Sequence, residues 1–158
     1  MLTKELKQVD ILCIIEHWLE EHEIDYFNFP NFSLHSKFSR KTMKHGGTCI
    51  YVKNNIEAKN CTKFENINME KHFEASIVEL PKHRTFIICL YRSPNSNIKI
   101  SIEKLEFTVN DLNKKNKNLV IIGDLNIDFS NGKTNIQLEA MLNSFGLQAV
   151  VSPNKINK

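Results

Sequence analysis

The stretch that decides the fold is Leu119-Val120-Ile121-Ile122-Gly123-Asp124-Leu125-Asn126. Four consecutive apolar residues predict a strand buried in a core, and Gly123 lets the backbone tighten or another chain come close. Asp124 and Asn126 end the stretch two residues apart, so we expect both side chains on one face. A carboxylate beside an amide can bind a cation, orient a water or hold a phosphate oxygen. The same two residue types also favour a plain turn, and this pattern alone leaves both interpretations open.

Other apolar patterns predict the elements around this strand. The expected strands are Asp10–Glu16, buried on both faces, Thr48–Val52, the hairpin of Phe73–Leu80 and Thr85–Tyr91, and Leu147–Val151. The expected helices are the end of one at Leu2–Lys7, an amphipathic one over 101–115, and one that runs from a Thr134–Gln137 capping box to Gly146. Two full helices among at least six strands predict an α/β layered fold.

Composition and length describe an ordinary globular protein. The chain has 158 residues, of which 41% are hydrophobic and 25% charged, and we expect one domain over 1–158. No apolar run approaches the roughly 18 residues of a membrane span, and the first residues contain no apolar signal region. The sequence therefore predicts an intracellular protein, nuclear or cytoplasmic, that does not contact a membrane. The four cysteines lack the spacing of a zinc site or redox pair.

The charge distribution is uneven. Between Tyr26 and Ile56 the chain has no acidic residue but five basic ones, namely Lys37, Arg40, Lys41, Lys44 and Lys53. A local basic segment suits a polyanionic partner such as nucleic acid. A solvated basic loop explains the segment equally well.

Three further motifs follow or precede predicted strands. Glu16 places a carboxylate where the first apolar run ends, and Tyr91-Arg92-Ser93-Pro94-Asn95 follows another. Arginine suits phosphate because its planar fork donates two parallel hydrogen bonds. His45-Gly46-Gly47 permits close backbone approach to a ligand. Taken singly, each motif also fits a structural turn or loop.

Taken in order, these motifs resemble the exonuclease–endonuclease–phosphatase superfamily, which includes DNase I and the apurinic-type endonucleases. The nearest resemblance is to the endonuclease domain of non-LTR retrotransposons. Residues 10–19 resemble the first metal-ligand motif of that domain, and residues 46–52 resemble its Gly-Gly strand. Residues 91–95 resemble its Tyr-Arg-x-Pro block, and residues 123–126 its Gly-Asp-Phe/Leu-Asn block. The resemblance implies a four-layer sandwich of two packed β-sheets flanked by helices.

The resemblance also implies magnesium-dependent hydrolysis of a DNA phosphodiester, with Mn²⁺ as a substitute metal. Glu16 would be the metal ligand, while Tyr91, Asp124 and Asn126 would be catalytic. Contacts with the phosphate backbone would come from Arg92, Asn95, Arg40, Lys44 and His45. A reverse transcriptase domain in a longer reading frame would be a further partner.

The chain departs from the family pattern at both ends. It begins within the helix that follows the family's first, asparagine-bearing strand, and it ends before the Ser-Asp-His-like block. We therefore expect an incomplete domain with weak or absent nicking activity. Two alternatives stay open, namely a non-catalytic nucleic-acid-binding remnant and a phosphoesterase of the same superfamily with another substrate.

Overall fold

The computed structural model describes residues 6–127, 132–148 and 150. The chain divides into two compact units, 1–126 and 127–158. The first contains helix α1 (Ile98–Asn113) and seven strands: β1 (Ile11–Ile15), β2 (Phe32–Phe38), β3 (Thr48–Lys53), β4 (Lys59–Asn60), β5 (Glu74–Leu80), β6 (Thr85–Tyr91) and β7 (Asn118–Asp124). The second contains helix α2 (Gly132–Ser144). None of the helices among these residues is long and apolar enough to cross a membrane.

The first sheet has the order β1-β3-β2 and is antiparallel throughout. Strand β3 lies in its centre, where its first five residues are all buried. Strand β2 was not predicted from the sequence. A register shift between Leu34 and Ser36 breaks its period-two alternation, so the apolar pattern does not stand out.

The second sheet has the order β4-β5-β6-β7. Its centre is the predicted hairpin, in which β5 and β6 pair from Glu74↔Tyr91 to Leu80↔Thr85. Helix α1 then connects β6 to β7, which pair in parallel. That register places Asp124 opposite Tyr91, so two of the predicted site residues end neighbouring strands.

The two sheets pack face to face over an apolar layer that includes Ile50, Val52, Val78, Ile87 and Cys89. The apolar residues at helical spacing in α1 are all buried, namely Ile102, Leu105, Val109 and Leu112. Phe86, Ile88 and Leu90 alternate with the inward residues of β6, so they face the opposite side of that strand. The predicted mixed α/β fold with two packed sheets is confirmed.

Several local predictions need correction. Strand β7 is not buried, since Val120 and Ile122 are 39% and 46% exposed, and β1 is only half-buried. Both strands lie at sheet margins, where a second neighbouring strand is missing among the described residues. An apolar run indicates that its residues are suited to a buried core, but it does not indicate whether the strand has neighbouring strands on both sides in the sheet.

Helix boundaries also differ. Helix α1 begins three residues before the predicted start, because the Asn97 side chain accepts a hydrogen bond from the backbone N–H of Lys99 at 3.0 Å. Helix α2 begins before the predicted capping box, and the side chain of Thr134 lies outside the described residues. Gly146 ends that helix in the left-handed conformation as predicted, with φ of 70°.

Two predictions concern the ends of the chain. The expected strand over 147–151 is absent at Leu147, Gln148 and Val150, and the other two residues lie outside the described part. Of the expected helix end over 2–7, the described residues form a short 3-10 turn, Leu6–Gln8.

Candidate active site

Glu16 and Tyr91 meet where the two sheets end. Tyr91, the last residue of β6, donates a hydrogen bond from its hydroxyl to Glu16 Oε1 at 2.6 Å. Burial, together with this bond to the carboxylate, raises the pKa of Tyr91 to about 12. The hydroxyl is therefore protonated at neutral pH and can act only as a donor to Glu16. Two motifs that lie far apart in the sequence thus form one site.

Glu16 itself is held by the backbone of Gly46 and Gly47, which form the glycine loop before β3. Its N–H donates to the carbonyl of Gly47 at 2.8 Å, and the N–H of Trp18 donates to that of Gly46 at 3.0 Å. Both Glu16 and Trp18 adopt left-handed backbone conformations, with φ of 52° and 60°. Such conformations are costly for residues with side chains and persist only where surrounding contacts enforce them.

Asp124 and Asn126 form a turn, which is one of the two interpretations that the sequence left open. Asp124 Oδ1 accepts a hydrogen bond from the Asn126 N–H at 2.7 Å, which is the geometry of an Asx turn. Asn126 lies beyond β7 with φ of 49°, so strand alternation does not determine its direction. Its amide Nδ2 donates to the Arg92 carbonyl at 2.7 Å. The Asp124 side chain remains exposed at the mouth of the site.

Arg92 does not face the surface. The residue is 4% exposed, and its guanidinium donates to the carbonyls of Leu125 and Asn126 on one side. On the other side it donates to the carbonyls of Ser93, Pro94 and Ser96. Burial lowers the pKa of Arg92, while Asp124 opposes that change. These contacts give Arg92 the role of joining the loops that follow β6 and β7. Asn95, in contrast, lies exposed in the turn after β6.

Arg40 is also used internally. Its Nε donates to Glu74 Oε1 at 2.6 Å, and its Nη2 donates to Ser93 Oγ at 2.7 Å. The side chains of Arg40 and Glu74 are 6% and 0% exposed. Arg40 Cζ lies 6.0 Å from the centroid of the Tyr91 ring. In this structure the Arg40 guanidinium forms a buried ion pair beside the site, and its contact with phosphate stays a prediction.

Glu74 is the residue that the sequence reasoning missed. Its Oε2 accepts the N–H of Gly47 at 2.7 Å, so it fixes the same glycine that binds the backbone of Glu16. The signal was present as a carboxylate at the first position of a strand in which four of the six other residues are apolar. A buried acid in such a place needs a positive partner.

His17 packs against the glycine loop from the other side. Its Nε2 lies 3.0 Å from the Phe38 carbonyl, while its Nδ1 accepts the N–H of Leu19 at 3.0 Å. The ring is therefore neutral, with its proton on Nε2. A Cβ on Gly47, whose φ is 90°, would lie 2.4 Å from this ring, so the close contact requires glycine.

The basic segment is only partly available. Lys37 pairs with Asp25 at 2.6 Å and Lys53 with Asp10 at 3.1 Å. Lys44 and His45, two of the predicted DNA contacts, are exposed. The loop that contains them is held by Glu70, whose carboxylate accepts from the N–H groups of residues 41–43.

The residues present fit a loosely held Mg²⁺ ion. Within the described part of the chain, no three His, Cys, Asp or Glu residues come together as a metal cage. Magnesium, however, commonly takes one or two carboxylates and completes its shell with water and substrate phosphate. Glu16 offers such a carboxylate, with Oε1 oriented by Tyr91.

The two-sheet fold and these motifs define a class of protein, and comparison with known families identifies that class. The chain belongs to the Endonuclease/Exonuclease/phosphatase family, which it matches over residues 1–151. Among solved structures it is similar to the endonuclease domain of TRAS1, a telomere-specific non-LTR retrotransposon, with a TM-score of 0.70 and 13% identity. That match covers 96% of this chain and 66% of the other. At this identity the likeness shows the fold alone.

The chain spans just under two thirds of that endonuclease domain, at 66%. No curated protein sequence matches it. The family resemblance that the four motifs predicted is confirmed.

Proposed function

We propose that the chain is a divalent-metal-dependent phosphodiesterase module that acts on DNA. The single observation that supports this best is the 2.6 Å hydrogen bond from Tyr91 to Glu16, with Asp124 opposite Tyr91 in the neighbouring strand. Family membership supports a phosphoester substrate, and the TRAS1 domain of the same fold is an endonuclease.

Each residue has a distinct role in this proposal. Glu16 holds Mg²⁺, or Mn²⁺ in its place, and the bound metal would supply activation of water and neutralisation of charge at phosphorus. Tyr91 keeps the Glu16 carboxylate in one orientation and lies beside the phosphate. Asp124 orients or deprotonates the attacking water. Asn126 uses one amide proton on the Arg92 carbonyl, and its second proton remains for a phosphate oxygen.

We expect weak activity. A metal held by one carboxylate dissociates readily, and three protein ligands are not assembled among the described residues. Millimolar metal and excess protein would then be needed to detect cleavage.

The test is nicking of a supercoiled plasmid by the full chain with Mg²⁺, with Mn²⁺ and with EDTA. Asp124→Ala should lower the metal-dependent rate by about 10²-fold or more, which is the usual effect of losing a general base. Glu103→Gln, on the exposed face of α1 (side chain 61% exposed), is the matched control and should leave the rate unchanged. Nicking that persists in EDTA, or that is equal in Asp124→Ala, contradicts the proposal.

A second function is a non-catalytic nucleic-acid-binding module. It is favoured by the internal use of Arg40 and Arg92, which leaves exposed lysines such as Lys44 to contact phosphates non-specifically. In that case binding would weaken steeply with salt, Asp124→Ala would leave it unchanged, and no metal would produce nicks.

A phosphoesterase with another substrate would instead hydrolyse a small phosphate ester and spare the plasmid.

We also propose a reverse transcriptase domain in a longer reading frame as a partner, because the TRAS1 domain comes from a retrotransposon. The DNA sequence downstream of this chain tests that directly. A downstream frame that encodes no polymerase motifs would remove the proposal.

A further inference from the structure

A groove of about 560 Å³ lies beside the candidate site. One wall consists of residues 18–23, which follow Glu16, and the other consists of residues 40–45, which precede the glycine loop. Its volume lies in the range of sites that hold one small organic ligand. The catalytic roles proposed above use none of the side chains on its surface.

The groove contains an exposed aromatic pair. Trp18, the single tryptophan of the chain, is 61% exposed. Its ring and that of His45 lie 4.5 Å apart between centroids, at an interplanar angle of 61°. A backbone contact holds Trp18, since its N–H donates to the Gly46 carbonyl, and His45 directly precedes that glycine. A rigid exposed tryptophan offers a flat apolar face at little entropic cost, which is the surface on which nucleobases stack.

The two walls carry opposite charges. Lys41 and Lys44 lie on one, while Glu20, Glu21 and Glu23 lie on the other. Lys41 Nζ approaches Glu21 Oε2 to 4.0 Å across the groove, so Lys44 on one wall and Glu20 and Glu23 on the other remain for a ligand. Phosphate groups are attracted to the first wall and repelled by the second. Carboxylates do accept hydrogen bonds from exocyclic amino groups of bases, as they do from cytosine N4. The groove thus complements a nucleotide whose phosphate faces Lys44 and whose amino-bearing base edge faces Glu20 or Glu23.

We infer that this groove is a subsite for one unpaired nucleobase of a DNA strand, which stacks against Trp18 and His45. The inference rests on the proposed function, because the same strand would reach Glu16, two residues before Trp18. It adds a preference for bases with an exocyclic amine, such as cytosine, over thymine, which lacks one.

Fluorescence of the single tryptophan tests the inference without catalysis. The full chain is titrated in EDTA with octamers of dC and of dT, which carry equal charge. Two further probes are an abasic octamer and a blunt duplex. We expect quenching by oligo(dC) with a Kd three- to ten-fold lower than for oligo(dT), and little quenching by the abasic strand or the duplex, since a hydrogen bond contributes about 1 kcal/mol. Equal quenching by the abasic strand, or none by any strand, overturns the inference.

Matched variants assign the effect to the aromatic rings. With a labelled oligo(dC) followed by anisotropy, Trp18→Phe should keep binding within about three-fold, whereas Trp18→Leu should weaken it about ten-fold, as expected for loss of base stacking. His45→Asn removes the ring but suits the left-handed φ of 68°, and it should weaken binding several-fold. Equal binding by Trp18→Phe and Trp18→Leu contradicts stacking.

The acidic wall suggests one competing ligand, a basic peptide, and an oligolysine titration addresses it. Quenching by oligolysine but not by oligo(dC) overturns the inference. Base-dependent quenching without plasmid nicking supports the subsite and counts against the proposed catalysis. Metal-dependent nicking without quenching does the reverse, so the two proposals fail separately.

Discussion

The candidate site has two halves, and a buried arginine stabilises each in a different way. At the Glu16 half, Arg40 pairs with the buried carboxylate of Glu74, which also binds the N–H of Gly47. At the Asp124 half, Arg92 binds only neutral groups, mainly backbone carbonyls of the loops after β6 and β7. The first half is stabilised by an ion pair that fixes a loop against a strand. The second half is stabilised by charge-assisted hydrogen bonds to backbone carbonyls.

The difference teaches how each half should respond to change. A buried ion pair is vulnerable to the loss of one partner, because the remaining charge is left without compensation. When a guanidinium that binds several carbonyls is replaced by a shorter side chain, only the bonds that the new side chain cannot reach are lost. We therefore expect substitutions at the Glu16 half to destabilise the chain more than substitutions at the Asp124 half.

The largest expected effect is that of Glu74→Gln. It leaves Arg40 buried and unpaired, and it should lower the free energy of unfolding by about 3–5 kcal/mol, measured by urea denaturation. Glu103→Gln, whose pair with Lys99 is exposed, is the control and should change it by less than about 0.5 kcal/mol. A loss in Glu74→Gln as small as in the control would show that the buried pair contributes little and would remove the contrast between the two halves.

Arg92→Lys should have the next largest effect. An ammonium group cannot reach carbonyls on both loops as the planar fork does, so we expect a loss of about 1.5–3 kcal/mol. Metal-dependent nicking should fall with it, because Asn126 lies on the released loop and Asp124 directly precedes that loop. If stability is unchanged and only DNA binding weakens, Arg92 is a phosphate ligand after all, and the two halves differ in function rather than in the way they are stabilised.

These two arginines show where sequence reasoning reached its limit. The sequence identified the family, the two packed sheets and the β5–β6 hairpin, and it named Glu16 and Tyr91 as candidate site residues without predicting their contact. A pattern of residue types cannot tell whether an arginine near a strand end turns outward to phosphate or inward to a carboxylate. That choice depends on Glu74, which is 34 positions from Arg40. Local periodicity contains no information on such a pairing.

The same limit explains the missed strand and the overestimated burial of β7. Strand β2 mixes polar and apolar residues around its bulge, and it becomes recognisable only through its pairing with β3. Strand β7 has the apolar run of a central strand, but whether such a strand is covered depends on its neighbours. Residues 123–126, in contrast, were predictable as a strand end followed by a turn, since Gly, Asp and Asn act there through local geometry.

Gly123→Ala tests the Asp124 half through its backbone. A Cβ on Gly123, whose φ is 151°, would lie 1.8 Å from the Leu90 carbonyl oxygen, so β6 and β7 would have to separate. We expect a loss of about 2 kcal/mol in the free energy of unfolding. Gly146→Ala is the matched control: its φ is 70° but nothing lies within 4 Å, so only the left-handed strain of about 1 kcal/mol remains. Equal losses in the two variants would mean that β7 can move away from β6 without penalty.

The smallest expected effect is a pH dependence at the Glu16 half. Burial lowers the pKa of His17 below its ordinary value of 6.5, although contacts with the Phe38 carbonyl and Glu74 oppose this. The unfolded chain then binds more protons than the folded chain just below pH 6.5. Stability from His17 is therefore fully present above pH 6.5 and decreases as pH falls toward the folded pKa.

His35 must be separated from this effect, because burial lowers its pKa in the same direction. The pKa of Glu70 is lowered from 4.5, so its contribution changes only at more acidic pH. Urea midpoints between pH 5.5 and pH 8 should decline toward acid in the parent chain and decline less in His17→Gln, in which the lowered pKa of His35 remains. Parallel curves for the two proteins would show that folding does not lower the pKa of His17. The Glu16 half would then be held by the Arg40–Glu74 pair without help from the histidine.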